Sequence, residues 1–531
     1  MALTRKSFLQ ITSRAAAGSI VASAVGSTGE SEAARPPQSG SGAAQAAAPR
    51  RAPAKDVTAA VVKFVTTVRY QDFPAPVIAE AKRCLIDGFG VVLAGATTRG
   101  SAIVRRHIRA AGGRSEASVL GPEPLMATVA QAALANGASG HAMDYDDTQL
   151  STTPDRIFGL LTHPTVPALA SSLAIGERLG VSGAVWLEAF LTGFEVECKI
   201  AEAIDPDHYV HGFHSSGTIG TFAAVASAAK LLKLSPEAVA HAFGIAASMS
   251  SGIRVNFGSM TKPLHVGRAA ENGVVAAQLA AGGFTAGADA LDGEWGFFQV
   301  LGGGADVERI LPVLANPYTI VKPGVSFKPY PCGSLGHPTM DAMLKLVTDH
   351  DVKPDQVDRV RVRAGSNILN PLRYKTAKTE LEAKFCLPFM MSSVILRRRA
   401  GIREFTDEFV SSAPVQDLMA RVETVFDQEI EARGFDKMRS IVEVTLKDGR
   451  RLAQPSDDRY RGGPENPFTL ADLHAKFTDC AQLILPPDRI ARALELIESV
   501  DQLKNVRELV RAMVPAVTPP AAAPPDLPPA P

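Results

Sequence analysis

Between residues 126 and 281 the chain is a succession of helical patterns rich in alanine and glycine, and small side chains let helix backbones approach closely. The stretches are 126–139, 164–179, 183–204, 217–232, 236–249 and 263–281. Two earlier segments read the same way: 57–68 behind Asp56 as a cap, and 75–94, where Val77, Ala81, Cys84, Leu85 and Phe89 fall near helical spacing. Together they predict a compact all-helical domain of packed hairpins over 55–320, with no clean internal repeat.

The character changes after about Lys322. Val360-Arg361-Val362-Arg363 alternates like a strand, and Ile441–Leu446 runs into Lys447-Asp448-Gly449-Arg450, a hairpin signal. Helical stretches at 337–348 and 379–398 lie between them, so a smaller α+β domain over 321–460 is expected. Helical pattern returns at 469–482, 487–499 and 501–513, and residues 461–515 are expected to dock back on the first domain. The fold class is therefore mainly α.

The two ends differ from this body. Thr4-Arg5-Lys6-Ser7-Phe8-Leu9-Gln10 leads into a weakly apolar run, Ala15 to Val25, which resembles a twin-arginine export signal over 1–28 with lysine in the second basic position. The expectation is periplasmic or secreted, with a cytoplasmic location as the alternative. Residues 29–54 read as a disordered linker and 516–531 as a disordered Pro-rich tail. No run of about 18 strongly apolar residues marks a membrane span. The 55 basic and 55 acidic side chains balance, and no basic stripe recommends nucleic acid, so a small or neutral partner is expected. Five scattered cysteines, Cys84, Cys198, Cys332, Cys386 and Cys480, form no CxxC pair and predict neither a disulfide framework nor a zinc site.

Chemistry concentrates where helices begin. In Met260-Thr261-Lys262-Pro263-Leu264-His265-Val266-Gly267-Arg268, Thr261 or Ser259 can cap the 263–281 helix, and Pro263 suits its first turn. A lysine there is disfavoured by the helix dipole, and an anion bound between Lys262 and the helix N-terminus would offset that. The plainer reading leaves Lys262 in water and His265 in the core. His163-Pro164, His211–Thr218 and the rigid loop Lys328-Pro329-Tyr330-Pro331-Cys332 with Gly333, Gly336 and His337 also bring basic groups to helix starts, favouring one shared anionic site. His141-Ala142-Met143-Asp144-Tyr145-Asp146-Asp147-Thr148 is an acidic cluster whose carboxylates need cations or water. Asp144, Asp146 and Asp147 as ligands of a hard cation is one reading, but the Gly and later Glu of a calcium loop are missing. Orienting a histidine or lysine is the preferred one, and no metal is assigned.

These segments resemble the MmgE/PrpD family, which includes 2-methylcitrate dehydratase, cis-aconitate decarboxylase and iminodisuccinate epimerase. The resemblance covers about residues 55 to 515 through Met143–Thr148, His163-Pro164, Gly212-Phe213-His214 with Gly217-Thr218, Thr261–Gly267, and Lys328–Cys332 with His337. It implies a large helical domain, a smaller α+β lid, a homodimer and a cleft site that uses no cofactor. By motif position it implies Asp144, Thr148, His163, His214, Lys262 and Lys328 as catalytic residues. His265, His337 and Arg268 are assigned to substrate binding. Two departures stand out: a long connection, Gln149 to Thr162, and Phe389 where relatives often carry tyrosine, which removes a phenol and makes decarboxylation the less natural transfer.

The function expected from the resemblance is a lyase that dehydrates a small hydroxy di- or tricarboxylate. His163 would serve as general base and His214 as general acid, or the reverse. Lys262 and Lys328 would stabilise enolate-like charge, Asp144 would orient one of these groups, and Thr148 would hydrogen-bond the substrate. An epimerase, a decarboxylase and a non-catalytic carboxylate-binding protein are the alternatives.

Overall fold

A computed structural model describes residues 55–150, 160–205, 207–434 and 437–515. The leader 1–28, the linker 29–54, the tail 516–531 and residues 151–159 of the long connection lie outside the described residues. The helices of the first part run Val57–Thr67, Ala75–Gly95, Arg99–Ala111, Val129–Ala142, Thr165–Leu179, Gly183–Ile204, Gly220–Leu231, Pro236–Met249 and Thr261–Ala281. Most fall within a few residues of the sequence expectation. Arg99–Ala111 was not expected, because its apolar positions Ile103, Val104 and Ile108 are few among Arg99, Arg105, Arg106, His107 and Arg109. No described helix is long and apolar enough to cross a membrane.

Two caps differ from the reading of the sequence. Asp56 precedes Val57–Thr67 but makes no side-chain cap bond; the Asp292 carboxylate instead accepts from the Val57 and Thr58 amides at 2.7 and 3.2 Å. Thr261 is the first residue of its helix and cannot be its cap; Ser259 Oγ accepts weakly from the Thr261 amide at 3.3 Å.

The Val129–Ala142 helix is buried along nearly its whole length between Ala75–Gly95, Thr165–Leu179 and Thr261–Ala281. Gly137 makes the closest of these crossings possible: a Cβ there would stand 3.0 Å from Gly267 Cα and 3.1 Å from Val266 O. The crossing lies one turn before His141 and just over one turn after Lys262, so backbone contact here sets how near those two side chains come. Gly137→Val is expected to destabilise the protein by about 1–3 kcal/mol through overpacking. A urea midpoint equal to that of the unaltered protein would refute this account of the crossing.

In the second part a four-stranded sheet has the order Val422–Phe426, Val357–Ala364, Ser440–Leu446, Arg451–Pro455. The first pair is parallel and the others antiparallel, and the last two are joined at the expected 447–450 turn. His337–Asp349 and Leu387–Arg397 cover it, and a separate core forms around Val360, Val442, Met340, Leu387 and Phe389. The single helix expected over 379–398 is broken into Glu380–Ala383 and Leu387–Arg397. Pro388 lacks the amide that would bond the Lys384 carbonyl in a continuous helix. That carbonyl accepts from the Gly333 amide instead, at 2.9 Å, tying the break to the loop that follows Lys328. Leu470–Ala481, Pro487–Glu498 and Arg507–Met513 return to the helical part, where Leu473, Phe477 and Leu496 join Leu85, Phe89 and Trp186 in one core. The 501–513 expectation overran: Val500–Gln502 is a short 3₁₀ turn and the helix starts only at Arg507. All five cysteines are buried and free.

Candidate active site

Asp144 sits where the chain turns out of the Val129–Ala142 helix, with a left-handed backbone (φ 52°) that side chains other than Gly, Asn and Asp rarely adopt. The turn sends its carboxylate into the interior, where Oδ1 accepts from Lys328 Nζ at 2.7 Å and Lys262 Nζ at 3.1 Å. All three side chains are buried. Burial alone would push the Asp144 carboxyl up, but Lys262 and Lys328 outweigh it and hold it well below the ordinary carboxylate range. This ion pair answers the puzzle of a lysine at a helix start: Lys262 is neither in water nor facing a vacant dipole, but bound to an anion supplied by the chain.

A second strand of the network fixes Lys262 from behind. Asp146 accepts from His141 Nδ1 at 2.8 Å, and His141 Nε2 meets Lys262 Nζ at 2.6 Å. Burial keeps His141 below its ordinary pKa despite Asp146, so the ring is neutral at pH 7. Its Nδ1–H then points to Asp146 and its Nε2 lone pair receives the ammonium. The sequence offered the cluster's carboxylates as groups that orient a histidine or lysine but did not name His141 as the partner; five residues apart across a helix end, His141 and Asp146 are brought together only by the turn at Met143–Tyr145.

His163 Nδ1 lies 2.7 Å from the Asp147 carbonyl, a contact only an N–H can make, and 3.2 Å from Thr148 Oγ1. This leaves the Nε2 lone pair uncommitted. Burial depresses the His163 pKa well below 6.5, with Lys328 adding to the effect and Asp146 opposing it. Thr148 also meets Ser334 Oγ at 3.2 Å and is bridged to Ser326 through the backbone, joining the helical part to the lid.

These groups surround a narrow space of about 30 Å³, the room of one or two waters. Asp144, His163 and Lys262 line it from the helical part with Tyr209 and Phe257; Lys328, Ser334, Leu335, Leu372 and Phe385 line it from the later part of the chain. Tyr209 was not singled out in the sequence, where nothing near it distinguishes it from other aromatics. Arg254 lies over its ring at 3.8 Å.

The remaining sequence candidates stand elsewhere. His214 packs T-shaped on Phe257 and its Nδ1 meets His265 Nδ1 at 3.0 Å; both rings sit beside the cavity wall instead of lining it. Buried His214 Nε2 has no partner among the described residues. His337 is buried in the lid against Tyr460 and the Cys332 carbonyl, at 2.5 and 3.1 Å. Arg268 is exposed and paired with Glu271 on the outer face of its helix, away from the residues that line this space. Phe389 is fully buried against Phe405 and Phe409 in the lid core. A tyrosine there would not reach the cavity, and the objection to decarboxylation drawn from this residue falls.

The three carboxylates of the acidic cluster have three different partners, Asp144 the lysines, Asp146 His141 and Asp147 Thr165. His141, Asp146 and His163 do come within 4.8 Å of one another. Both imidazoles, however, commit Nδ1 to a proton donor role on that side, which leaves no lone pair there for a cation.

Buried neutral imidazoles make stability depend on pH. His208 donates from Nδ1 to the Leu301 carbonyl at 2.8 Å, and burial pushes its pKa down to about 4. Between about 4 and 6.5 the unfolded chain binds the proton and the folded one does not, so stability is lost as pH falls through that window. Asp147 has the opposite sign: burial and Asp87 raise it to about 8, and its contribution declines as pH rises through that value. The effect of His208 is therefore isolated by comparison with His208→Gln. Relative to that variant, the unaltered protein is expected to lose on the order of 3 kcal/mol between pH 7 and pH 4. Parallel pH profiles would overturn the assignment.

Helical packing that carries a buried, doubly cationic pocket beneath an α+β lid defines the class of protein. The sequence matches the MmgE/PrpD N-terminal domain over residues 59–310 and the MmgE/PrpD C-terminal domain over 330–502. The chain belongs to the MmgE/PrpD family. It is similar to cis-aconitate decarboxylase of Homo sapiens, with 26% identity over 462 residues covering 85% of this chain and 93% of the human protein. It is also similar to cis-aconitate decarboxylase of Mus musculus, 25% identical with coverage of 86% and 93%, and of Aspergillus terreus, 23% identical with coverage of 86% and 96%. These relatives are enzymes.

Proposed function

We propose that the protein is a lyase of small di- or tricarboxylates working through its own side chains, with decarboxylation of an unsaturated tricarboxylate as the leading reaction. The observation that carries the reading is the convergence of Lys262 and Lys328 on one atom of Asp144 inside a closed space. Fixed ammonium groups in a buried pocket favour the state in which negative charge spreads onto a substrate carboxylate. Much of the rest of the lining, Phe257, Leu335, Leu372 and Phe385, is apolar. A carboxylate held there loses hydration, which favours its departure as neutral carbon dioxide. The C–C bond breaks, the electron pair moves toward the carboxylate held by the lysines, and a proton from Tyr209 or a lysine is added to carbon. The names of the similar human, mouse and fungal enzymes support cis-aconitate as the first substrate to try.

Dehydration of a hydroxy-polycarboxylate is the second reading, and His163 favours it. Its neutral ring, with Nδ1–H committed to Asp147, offers Nε2 as a base for a proton beside a carboxylate. Purified protein incubated in deuterium oxide with cis-aconitate and hydroxy-polycarboxylates, followed by NMR, separates these readings. Decarboxylation is expected to yield carbon dioxide and a product carrying a new C–D bond. Alkene formed without carbon dioxide would replace it with dehydration, proton exchange alone with epimerisation, and binding without turnover with a carboxylate-binding protein.

A further inference from the structure

On the far side of the Asp144 and Lys328 loops lies a much larger cavity, about 500 Å³, within the range of small-molecule sites. Its lining carries Arg398, Arg399, Arg403 and Arg461 together with Glu404 and Asp479. We propose that this cavity is a second binding site, distinct from the catalytic pocket, for a small multivalent oxyanion such as a phosphate or a polycarboxylate.

The arginines are not consumed by their present partners. Arg399 bonds Glu404 at 2.8 Å, Arg398 bonds the exposed Asp351, Arg461 bonds Asp341 at 2.9 Å, and Arg403 has no ion pair among the described residues. A guanidinium has five N–H donors in a fixed fork, and one carboxylate occupies two at most. Donors therefore remain, from residues 398–403 on one wall and 461 on another, with the spread a multidentate anion requires.

The wall between the two sites is thin and shared. Asp144 faces the catalytic space while Tyr145, the next residue, lines the arginine cavity; Lys328 and Pro329 divide in the same way. Lys476 pins this partition, lying 3.8 Å from the centre of the Tyr145 ring and donating to the Tyr145 carbonyl at 2.8 Å. The free arginine donors of the second cavity are thus walled off from the pair that neutralises Asp144, and a ligand must enter it separately.

The test is calorimetric titration of the full chain with inorganic phosphate and, separately, citrate, at ionic strength held constant with chloride. The variants are Arg399→Gln/Arg403→Gln, Arg403→Gln alone, and Lys262→Met. One phosphate or citrate site is expected to persist in Lys262→Met and to weaken about tenfold or more in the double variant, since hydrogen bonds to charged groups are lost. Arg403→Gln removes an exposed, unpaired side chain and keeps the test valid if the double variant fails to fold. The stronger of the two anions names the ligand chemistry. No binding beyond chloride, binding abolished by Lys262→Met, or binding unmoved by the arginine changes would each overturn the site.

Discussion

Lys262→Met is expected to lower kcat by about 10²–10³-fold, the usual effect of deleting one fixed donor to charge that develops in the transition state. The fold should survive, because Asp144 keeps Lys328 at 2.7 Å and His141 keeps Asp146. Lys262→Arg should not restore the rate: a planar fork cannot occupy the point between His141 Nε2 and Asp144 Oδ1 that a compact ammonium fills. The measurement is kcat and KM on the acid the enzyme turns over. A rise in KM with kcat intact would demote Lys262 to ground-state anchoring. Turnover within tenfold of the unaltered enzyme would remove it from the chemistry.

Asp144→Asn should act on stability as strongly as Lys262→Met acts on rate. Asparagine keeps the shape and tolerates the left-handed backbone, so the change isolates charge from conformation. It leaves two buried ammonium groups facing each other without their shared anion, and breaking a buried pair in this way costs about 3–5 kcal/mol. The variant should melt much earlier, and added carboxylates should recover part of the loss by taking the place of Asp144, more so at millimolar concentration than an equal amount of chloride. Denaturant unfolding within about 1 kcal/mol of the unaltered protein would mean that the lysines are not held by this carboxylate.

Most helices could be read from the sequence because their signal is local. Helical spacing of apolar residues, Pro263 and the Asp-Gly turn at 448–449 each act over a few neighbours. The failures share a cause. Asp292, more than two hundred residues away, took over the cap expected of Asp56. Arg99–Ala111 lacked the apolar count that periodicity detects. The 379–398 helix broke because the carbonyl freed by Pro388 found Gly333, a partner set by the lid's packing.

The site divides along the same line. Which residue types carry the chemistry was written in the motifs, and Asp144, His163, Lys262 and Lys328 do meet around one space. Distance and direction were not. Arg268 is six residues from Lys262 yet lies on the outer face of the same helix, because 3.6 residues per turn cannot keep both inside. His214 and His265 turn toward each other, Tyr209 lines the space while Phe389 lies in the lid core, and His141 with Asp146 becomes the brace behind Lys262. The sequence by itself determined the helical class, the family and the inventory of acids and bases, since these depend on composition and short-range order. Only the tertiary structure decided which of them are buried together, because burial and charge pairing arise between segments such as 141–148, 262 and 328 whose separation along the chain leaves no local trace.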